Sequence, residues 1–306
     1  MKVEWKGIFP AVTTKFADDD NLDLIMFSKN IKAQIDAGVN GIVLGGTLGE
    51  ASTLTAEEKS ILVKETILIS KGRIPVIINI AEQSTKNAIL AAAKAEEDGA
   101  DGLMLLPPMR YKANDYETVV YFKAIAKSTN LPIMIYNNPI DYKIEVTLDM
   151  FEQLTECKNI NAVKESTRDI SNVTKMINRF GDRYKVLTGV DTLGLESLLM
   201  GADGWVAGLV CAFPKETVAI YKLAKAGRIN EALKIYRWFL PLLELDISPQ
   251  LVQNIKMAET AAGIGTENVR APRLPLIGKE RERVQNIIIT AINTRPELPD
   301  YLSINV

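Results

Sequence analysis

The chain contains no histidine among its 306 residues. Without histidine there can be no Ser-His-Asp or Cys-His nucleophile system and no histidine-built zinc site. Acid–base chemistry must therefore use lysine, tyrosine, aspartate, glutamate, threonine or water.

Cysteine and long apolar runs are scarce as well. The two cysteines, Cys157 and Cys211, lie far apart and form no CxxC pair, which predicts a reducing compartment without disulfides. The first ten residues lack the basic-then-apolar pattern of a signal peptide, and no apolar run reaches membrane-spanning length. We therefore expect a cytoplasmic protein with no membrane partner.

An excess of charge of one sign is also missing, because 36 basic residues stand against 38 acidic ones and leave a net charge of −2. This balance provides no electrostatic footprint for nucleic acid. Hydrophobic residues make up 47% and charged residues 24% of the chain, as is typical of a soluble globular protein. The length suits two ordinary domains or one large α/β barrel.

What recurs along the chain is a short apolar run followed by an amphipathic helix. Uniformly apolar runs of this kind are typical of parallel strands that are covered by helices. Eight strands are predicted, at residues 7–12, 41–44, 75–80, 102–106, 132–136, 162–164, 185–187 and 204–207. The helices between them carry clear signals, such as the capping box formed by Thr55 and Glu58.

A local repeat supports a cyclic arrangement of these units. The segments AGVNGIVLGG (37–46), DGADGLMLLP (98–107) and MGADGWVAGL (200–209) share a helix end, a glycine, two residues, a second glycine and a strand. After about residue 214 only helices are predicted, at 215–226, 229–245, 251–262 and 279–292. We therefore expect an α/β (β/α)8 TIM barrel over residues 1–225 and a C-terminal helical domain over residues 226–306.

Active sites of such barrels lie at the C-terminal ends of the strands, where Lys164 is the most informative residue. Burial at the end of an apolar strand lowers a lysine pKa toward roughly 7–8 and leaves a neutral amine. Such an amine attacks a ketone or cyclic imine to form a protonated Schiff base, which promotes cleavage of C–C, C–O or C–N bonds. The alternative is a lysine that extends to solvent or pairs with Glu165.

Tyr136 ends the preceding strand and is a candidate proton relay, or else a core tyrosine bonded to the backbone. The glycine-rich loop at residues 45–50 offers backbone N–H groups and the Thr47 hydroxyl to a substrate carboxylate, although its glycines also suit a plain tight turn. It matches no nucleotide-binding fingerprint.

Three later positions complete the list of candidate substrate contacts. Gly189, Asp191 and Val206 all fall at the ends of the last two predicted strands. Asp191 and Thr192 either contact the distal part of a substrate or cap the helix that follows.

Taken together, four motifs resemble the dihydrodipicolinate synthase / N-acetylneuraminate lyase family over nearly the whole chain. They are GGTLGE (45–50), YNNP (136–139), AVKES (162–166) and TGVD (188–191). The resemblance implies a barrel with C-terminal helices that uses no metal or cofactor and forms a homotetramer or homodimer. It also implies that Lys164 forms a Schiff base, that Tyr136 relays protons and that Gly46, Thr47 and Leu48 bind the substrate carboxylate.

Departures from the family pattern bear on the subfamily. Leu48 stands where the synthases carry a second hydroxylated residue, so the usual relay of hydroxyls is interrupted. Asp141 lies where they place an arginine for a second carboxylate, and would repel an acidic semialdehyde. Met109 replaces a tyrosine expected to cross a subunit interface, with Tyr111 as a candidate substitute, and Thr192 stands where sialic acid lyases carry an acid. These departures argue against dihydrodipicolinate synthesis and sialic acid cleavage.

Longer segments resemble the Δ1-pyrroline-4-hydroxy-2-carboxylate deaminases of hydroxyproline breakdown more closely. They are YNNPIDYKIEVT (136–147), ESLLMGADGWVAGLVCAFP (196–214), VQNIKMAE (252–259) and VRAPRLPL (269–276). We therefore expect a Schiff-base lyase whose partner is a small 2-keto acid or cyclic imino acid. Its expected reaction converts Δ1-pyrroline-4-hydroxy-2-carboxylate to 2-oxoglutarate semialdehyde and ammonia. The alternatives are a pyruvate-dependent dihydrodipicolinate synthase, a 2-keto-3-deoxy sugar acid aldolase or, from another class, a non-catalytic ligand-binding barrel.

Overall fold

Eight parallel strands form one sheet in the order β1-β8-β7-β6-β5-β4-β3-β2. The structure, a computed structural model, describes residues 2–108 and 111–306. The strands are Gly7–Pro10 (β1), Ile42–Leu44 (β2), Val76–Ile80 (β3), Gly102–Leu105 (β4), Ile133–Asn137 (β5), Ile160–Glu165 (β6), Lys185–Thr188 (β7) and Gly204–Ala207 (β8). They are buried along nearly their whole length, which is why the sequence shows uniform apolar runs rather than alternation.

The sheet closes into a ring at the seam between β1 and β2. A parallel bridge joins Ala11 to Val43, and the Val12 N–H donates a hydrogen bond of 2.9 Å to the Val43 carbonyl. Eight parallel strands surrounded by helices make an α/β (β/α)8 TIM barrel, so the predicted fold class is confirmed.

Helices connect the strands and then continue beyond β8. They are Leu24–Asp36 (α1), Ala56–Ser70 (α2), Thr85–Glu97 (α3), Asp115–Ser128 (α4), Pro139–Tyr142 (α5), Leu148–Leu154 (α6), Ser171–Phe180 (α7), Gly194–Leu199 (α8), Pro214–Lys225 (α9), Ile229–Leu243 (α10), Leu251–Ala261 (α11) and Gly278–Asn293 (α12). The short helix α5 has no counterpart among the predicted elements. None of the described helices is long and apolar enough to cross a membrane.

Two predictions concern side chains that cap the starts of helices, and one of them is confirmed. Thr55 and Glu58 form both hydrogen bonds of the predicted capping box at the start of α2. The alternative in which Asp191 or Thr192 caps a helix is wrong, because no side-chain cap is present at the 3₁₀ turn Asp191–Leu193 or at α8.

The repeated glycines have the geometry that their spacing predicts. Gly38, Gly99 and Gly201 follow helices with φ angles of 88°, 88° and 109°, a region that favours glycine. A Cβ on Gly204 would lie 2.4 Å from the Gly7 carbonyl oxygen, so only glycine allows β8 to pair with β1 there.

The C-terminal helices pack against the barrel through a continuous hydrophobic core. Phe213, which precedes α9, contacts Phe239 of α10 with ring centroids 5.7 Å apart. The division of the chain at residue 225 stays a prediction.

Candidate active site

Lys164 lies near the C-terminal end of β6, where it is 6% exposed. Its neighbour in register on β5 is Tyr136, and the Lys164 Nζ lies 4.1 Å from the centre of that ring. Burial lowers the pKa of Lys164, while nearby acidic groups oppose the shift. The amine is therefore neutral more often than an ordinary lysine, as nucleophilic attack requires.

Tyr136 is buried beside this amine. Its hydroxyl accepts a hydrogen bond of 3.2 Å from the Asn138 side-chain amide. Burial raises the pKa of Tyr136 to about 12, so the phenol keeps its proton at neutral pH. A neutral hydroxyl of this kind can receive one proton while it gives up another.

A second tyrosine joins Tyr136 to the glycine-rich loop. The Tyr142 hydroxyl lies 2.7 Å from Thr47 Oγ1, and the Tyr142 ring contacts the Tyr136 ring edge-on with centroids 5.3 Å apart. Tyr142 is carried by α5, whose N-cap is the Asn138 side chain. Tyr142 thus places a second hydroxyl beside Thr47, and it contacts Tyr136 through the rings.

Removal of this hydroxyl tests the connection. Tyr142→Phe keeps the ring contact but breaks the hydrogen bond to Thr47, so we expect kcat to fall by about 10²-fold. Trapping of the Schiff base by borohydride is expected to persist, because Lys164 is untouched. Tyr116→Phe is the matched control, since Tyr116 is 74% exposed on the outer surface. A Tyr142→Phe enzyme as fast as Tyr116→Phe would rule out a role for Tyr142 in proton transfer.

The predicted residues at the strand ends line one cavity. Those that line it are Gly46, Thr47, Leu48, Tyr136, Lys164, Gly189 and Val206. Gly189 makes room for the lysine, because a Cβ there would lie 2.5 Å from Lys164 Cε. A larger groove between α2 and α3 shares no lining residue with this cavity.

Asp191 is the predicted site residue that does not line the cavity. Its buried carboxylate accepts hydrogen bonds from Trp205 Nε1 at 2.9 Å and from the backbone N–H groups of Gly208 and Leu209 at 3.1 and 2.8 Å. These donors occupy both oxygens, so Asp191 holds the turn after β8 in place.

Several lining residues were not among the predicted contacts. The polar ones are Asn138, Ser166, Arg168 and Asp246, and Asp141, which the sequence analysis places opposite a second carboxylate, lines the cavity with them. Asn138 has a local signal, because asparagine before proline commonly starts a helix. Asp246 lies in the 3₁₀ turn Glu244–Ile247, far along the chain from every motif, and no sequence pattern marks it. Tyr111 is 58% exposed and does not line the cavity, and Met109 lies outside the described residues.

The glycine-rich loop rests on buried ion pairs with the C-terminal segment. Glu50, the last residue of the loop, pairs with Lys256 of α11 at 2.5 Å, and both side chains are fully buried. The Arg270 backbone N–H donates a hydrogen bond of 3.0 Å to the other Glu50 oxygen. A second buried pair joins Lys15 to Glu259 at 2.9 Å. The contacts of Glu50 anchor the loop to α11 and to the segment that follows it, and the pair of Lys15 with Glu259 joins the segment after β1 to α11.

A (β/α)8 barrel with one buried lysine among tyrosine hydroxyls at the strand ends defines a Schiff-base-forming enzyme of the aldolase and lyase class. The chain belongs to the dihydrodipicolinate synthetase family, whose model matches residues 4–291. Enzymes of this family form a covalent Schiff base on a lysine and use no external cofactor. In the described part of the chain, no three His, Cys, Asp or Glu residues are grouped so as to hold a metal ion.

Relatives cover nearly the full length. The 4-hydroxy-tetrahydrodipicolinate synthase of Exiguobacterium sibiricum is 32% identical over 89% of this chain and 92% of its own. An uncharacterized DapA-like lyase of Rhizobium meliloti is 30% identical over 96% of this chain and 99% of its own. The crystal structure of a dihydrodipicolinate synthase from Bacillus anthracis superposes with a TM-score of 0.91 at 30% identity, covering 96% of this chain and 100% of its own. These names do not support the closer resemblance to deaminases.

Proposed function

We propose that the enzyme is a Schiff-base deaminase that acts on Δ1-pyrroline-4-hydroxy-2-carboxylate. The observation that carries this proposal is the presence of Asp141 in the lining of the cavity, at the position where the family resemblance leads us to expect an arginine. Asp141 Oδ2 accepts a hydrogen bond of 2.7 Å from Asn138, whose amide also donates to the Tyr136 hydroxyl. A second substrate carboxylate would meet this anion. A substrate with one carboxylate avoids that repulsion.

In the proposed reaction the carboxylate binds the N–H groups of Gly46, Thr47 and Leu48. The Lys164 amine adds to the ring C=N carbon, and cleavage of the ring C–N bond leaves a Schiff base with a free amino group at the far end. Loss of a proton from C3 and of the hydroxyl from C4 follows. Tautomerisation then places a C=N bond at C5, and hydrolysis releases ammonia and 2-oxoglutarate semialdehyde. The net reaction consumes one water and needs no oxidant.

Tyr136 and Thr47 serve proton transfer in this scheme. Tyr136 lies against the amine and keeps its proton at neutral pH, so it is suited to protonate and deprotonate the carbinolamine that precedes the Schiff base. Gly189 and Val206 shape the wall beside Lys164.

The second candidate is 4-hydroxy-tetrahydrodipicolinate synthase. It is favoured by the names of the curated relatives and by Arg168, an exposed side chain at the same cavity that can hold a second carboxylate. In that reaction Lys164 binds pyruvate and the enamine adds to an aldehyde.

The two candidates differ in their products. We expect wild-type enzyme to release ammonia from the pyrroline substrate and to form a borohydride-stable adduct that intact-protein mass spectrometry detects. Pyruvate with aspartate semialdehyde is the parallel reaction, in which we expect an adduct but little turnover. If the enzyme consumes both pyruvate and the semialdehyde and releases no ammonia from the pyrroline, it is the synthase and not the deaminase. The homotetramer or homodimer stays a prediction, which sedimentation velocity measures directly.

A further inference from the structure

Asp246 brings an acidic group into the cavity from the C-terminal helices. It lies in the turn between α10 and α11 and lines the same cavity as Lys164 and Tyr136. Its Oδ1 is buried, and neither carboxyl oxygen takes part in a hydrogen bond with a described residue. A buried polar atom without a partner costs about 1–3 kcal/mol, a cost that a ligand with a matching polar group would remove.

Packing, rather than hydrogen bonding, holds this carboxyl in place. A Cβ on Gly208 would lie 2.4 Å from Asp246 Oδ1, so the carboxyl packs directly over the Gly208 backbone. The Gly208 N–H is not available to it, because it donates to Asp191. Asp246 thus lines the cavity with a carboxyl that makes no hydrogen bond to a described residue.

The surroundings of Asp246 favour its protonated form. Burial raises the pKa of Asp246 well above its usual range, and Asp191 and Asp141 add to the rise, whereas Lys164 and Arg168 oppose it. A protonated carboxyl is a donor. When Lys164 becomes a cationic Schiff base, the new positive charge lowers the pKa of Asp246 and makes it a stronger acid at the time of bond cleavage.

We propose that Asp246 is the general acid that protonates the oxygen leaving C4 of the lysine-bound substrate. This inference rests on the proposed function and assigns one of its steps. Loss of the C3 proton gives an enamine, whose electron pair forms the C3=C4 double bond. The C4–O bond then breaks, and the oxygen departs as water with the proton of Asp246. The proton lost from C3 returns to the Asp246 carboxylate through solvent. Tyr136 transfers protons during formation of the Schiff base on Lys164, whereas Asp246 protonates the oxygen that leaves C4.

Asp246→Asn tests the assignment, since the amide has nearly the same shape but is no acid. We expect ammonia release to fall by about 10²–10⁴-fold. Adduct formation with pyruvate and exchange of its methyl protons with deuterium are expected to stay within a few-fold of wild type, because neither involves C4. Glu244→Gln, in the same turn but exposed, is the matched control. Asp246→Glu keeps the acid and is expected to restore part of the rate.

A change of leaving group separates an acid from a structural role. Fluoride leaves without prior protonation, so a 4-fluoro analogue is expected to react with Asp246→Asn at a rate within a few-fold of wild type. Full ammonia release by Asp246→Asn would overturn the assignment. Loss of methyl-proton exchange in that variant would also overturn it, in favour of a structural role. Wild-type enzyme that releases no ammonia would instead contradict the proposed function and this inference with it.

Discussion

Lys164→Ala is expected to lower the rate of turnover by at least about 10⁴-fold, the largest effect of any single substitution in the chain. The amine is the nucleophile, and no other described lysine lines the cavity. Without the Schiff base, the electrons of the breaking bonds have no acceptor. Borohydride with substrate is therefore expected to leave the mass of the variant unchanged, whereas the wild type gains one reduced adduct.

Lys185→Ala is the matched control for this loss. Lys185 lies at the opposite end of the barrel, at the start of β7, with a side chain that is 38% exposed. We expect it to form the adduct at the wild-type rate. An adduct on Lys164→Ala would assign the chemistry to another group.

The same lysine sets the pH dependence of adduct formation. Because burial lowers its pKa below the ordinary value of 10.5, the neutral fraction rises as the pH rises through that lowered value. The rate of trapping with pyruvate is therefore expected to increase with pH and to level off below pH 10.5. If the rate instead rises with pH around a midpoint at the ordinary lysine pKa of 10.5, the amine is not desolvated.

Lys256→Met is expected to destabilise the fold by about 3–5 kcal/mol, because it leaves the buried Glu50 carboxylate with only the more distant Arg273 guanidinium, at 3.8 Å, as a cationic partner. In a chain of this length such a loss lowers Tm by roughly 10 °C, which circular dichroism measures. Glu50 ends the glycine-rich loop, so KM is expected to rise as well. The ammonium itself is costly to bury, since burial lowers the pKa of Lys256 to about 8.

The double variant Glu50→Gln with Lys256→Met is expected to recover much of the stability, because it removes both charges together. Lys175→Met is the matched control. It breaks an ion pair with Asp169 in which both side chains are 51% exposed, and such pairs contribute about 1 kcal/mol or less. Equal losses from Lys256→Met and Lys175→Met would mean that the buried pair does not support the loop.

The barrel was predictable because its signals are local. Each strand contains a short apolar run, and Lys164 stands out because it directly follows one of them. The contact of Tyr142 with Thr47 and the position of Asp246 in the cavity were not predictable, since a four-residue helix has no periodicity and a turn between two helices carries no motif. Asp191 was misinterpreted for a related reason, because its partner Trp205 lies on a different strand and only the fold brings them together.

The turn that carries Asp246 allows chemistry to diverge without change to the barrel. All four motifs of the family lie in the barrel, whereas this turn lies between α10 and α11 and lines the cavity from outside the barrel. Substitutions within the four residues Glu244–Ile247 can therefore change the lining of the cavity while the residues at the strand ends stay the same. Transfer of that turn from one relative to another requires at most four substitutions.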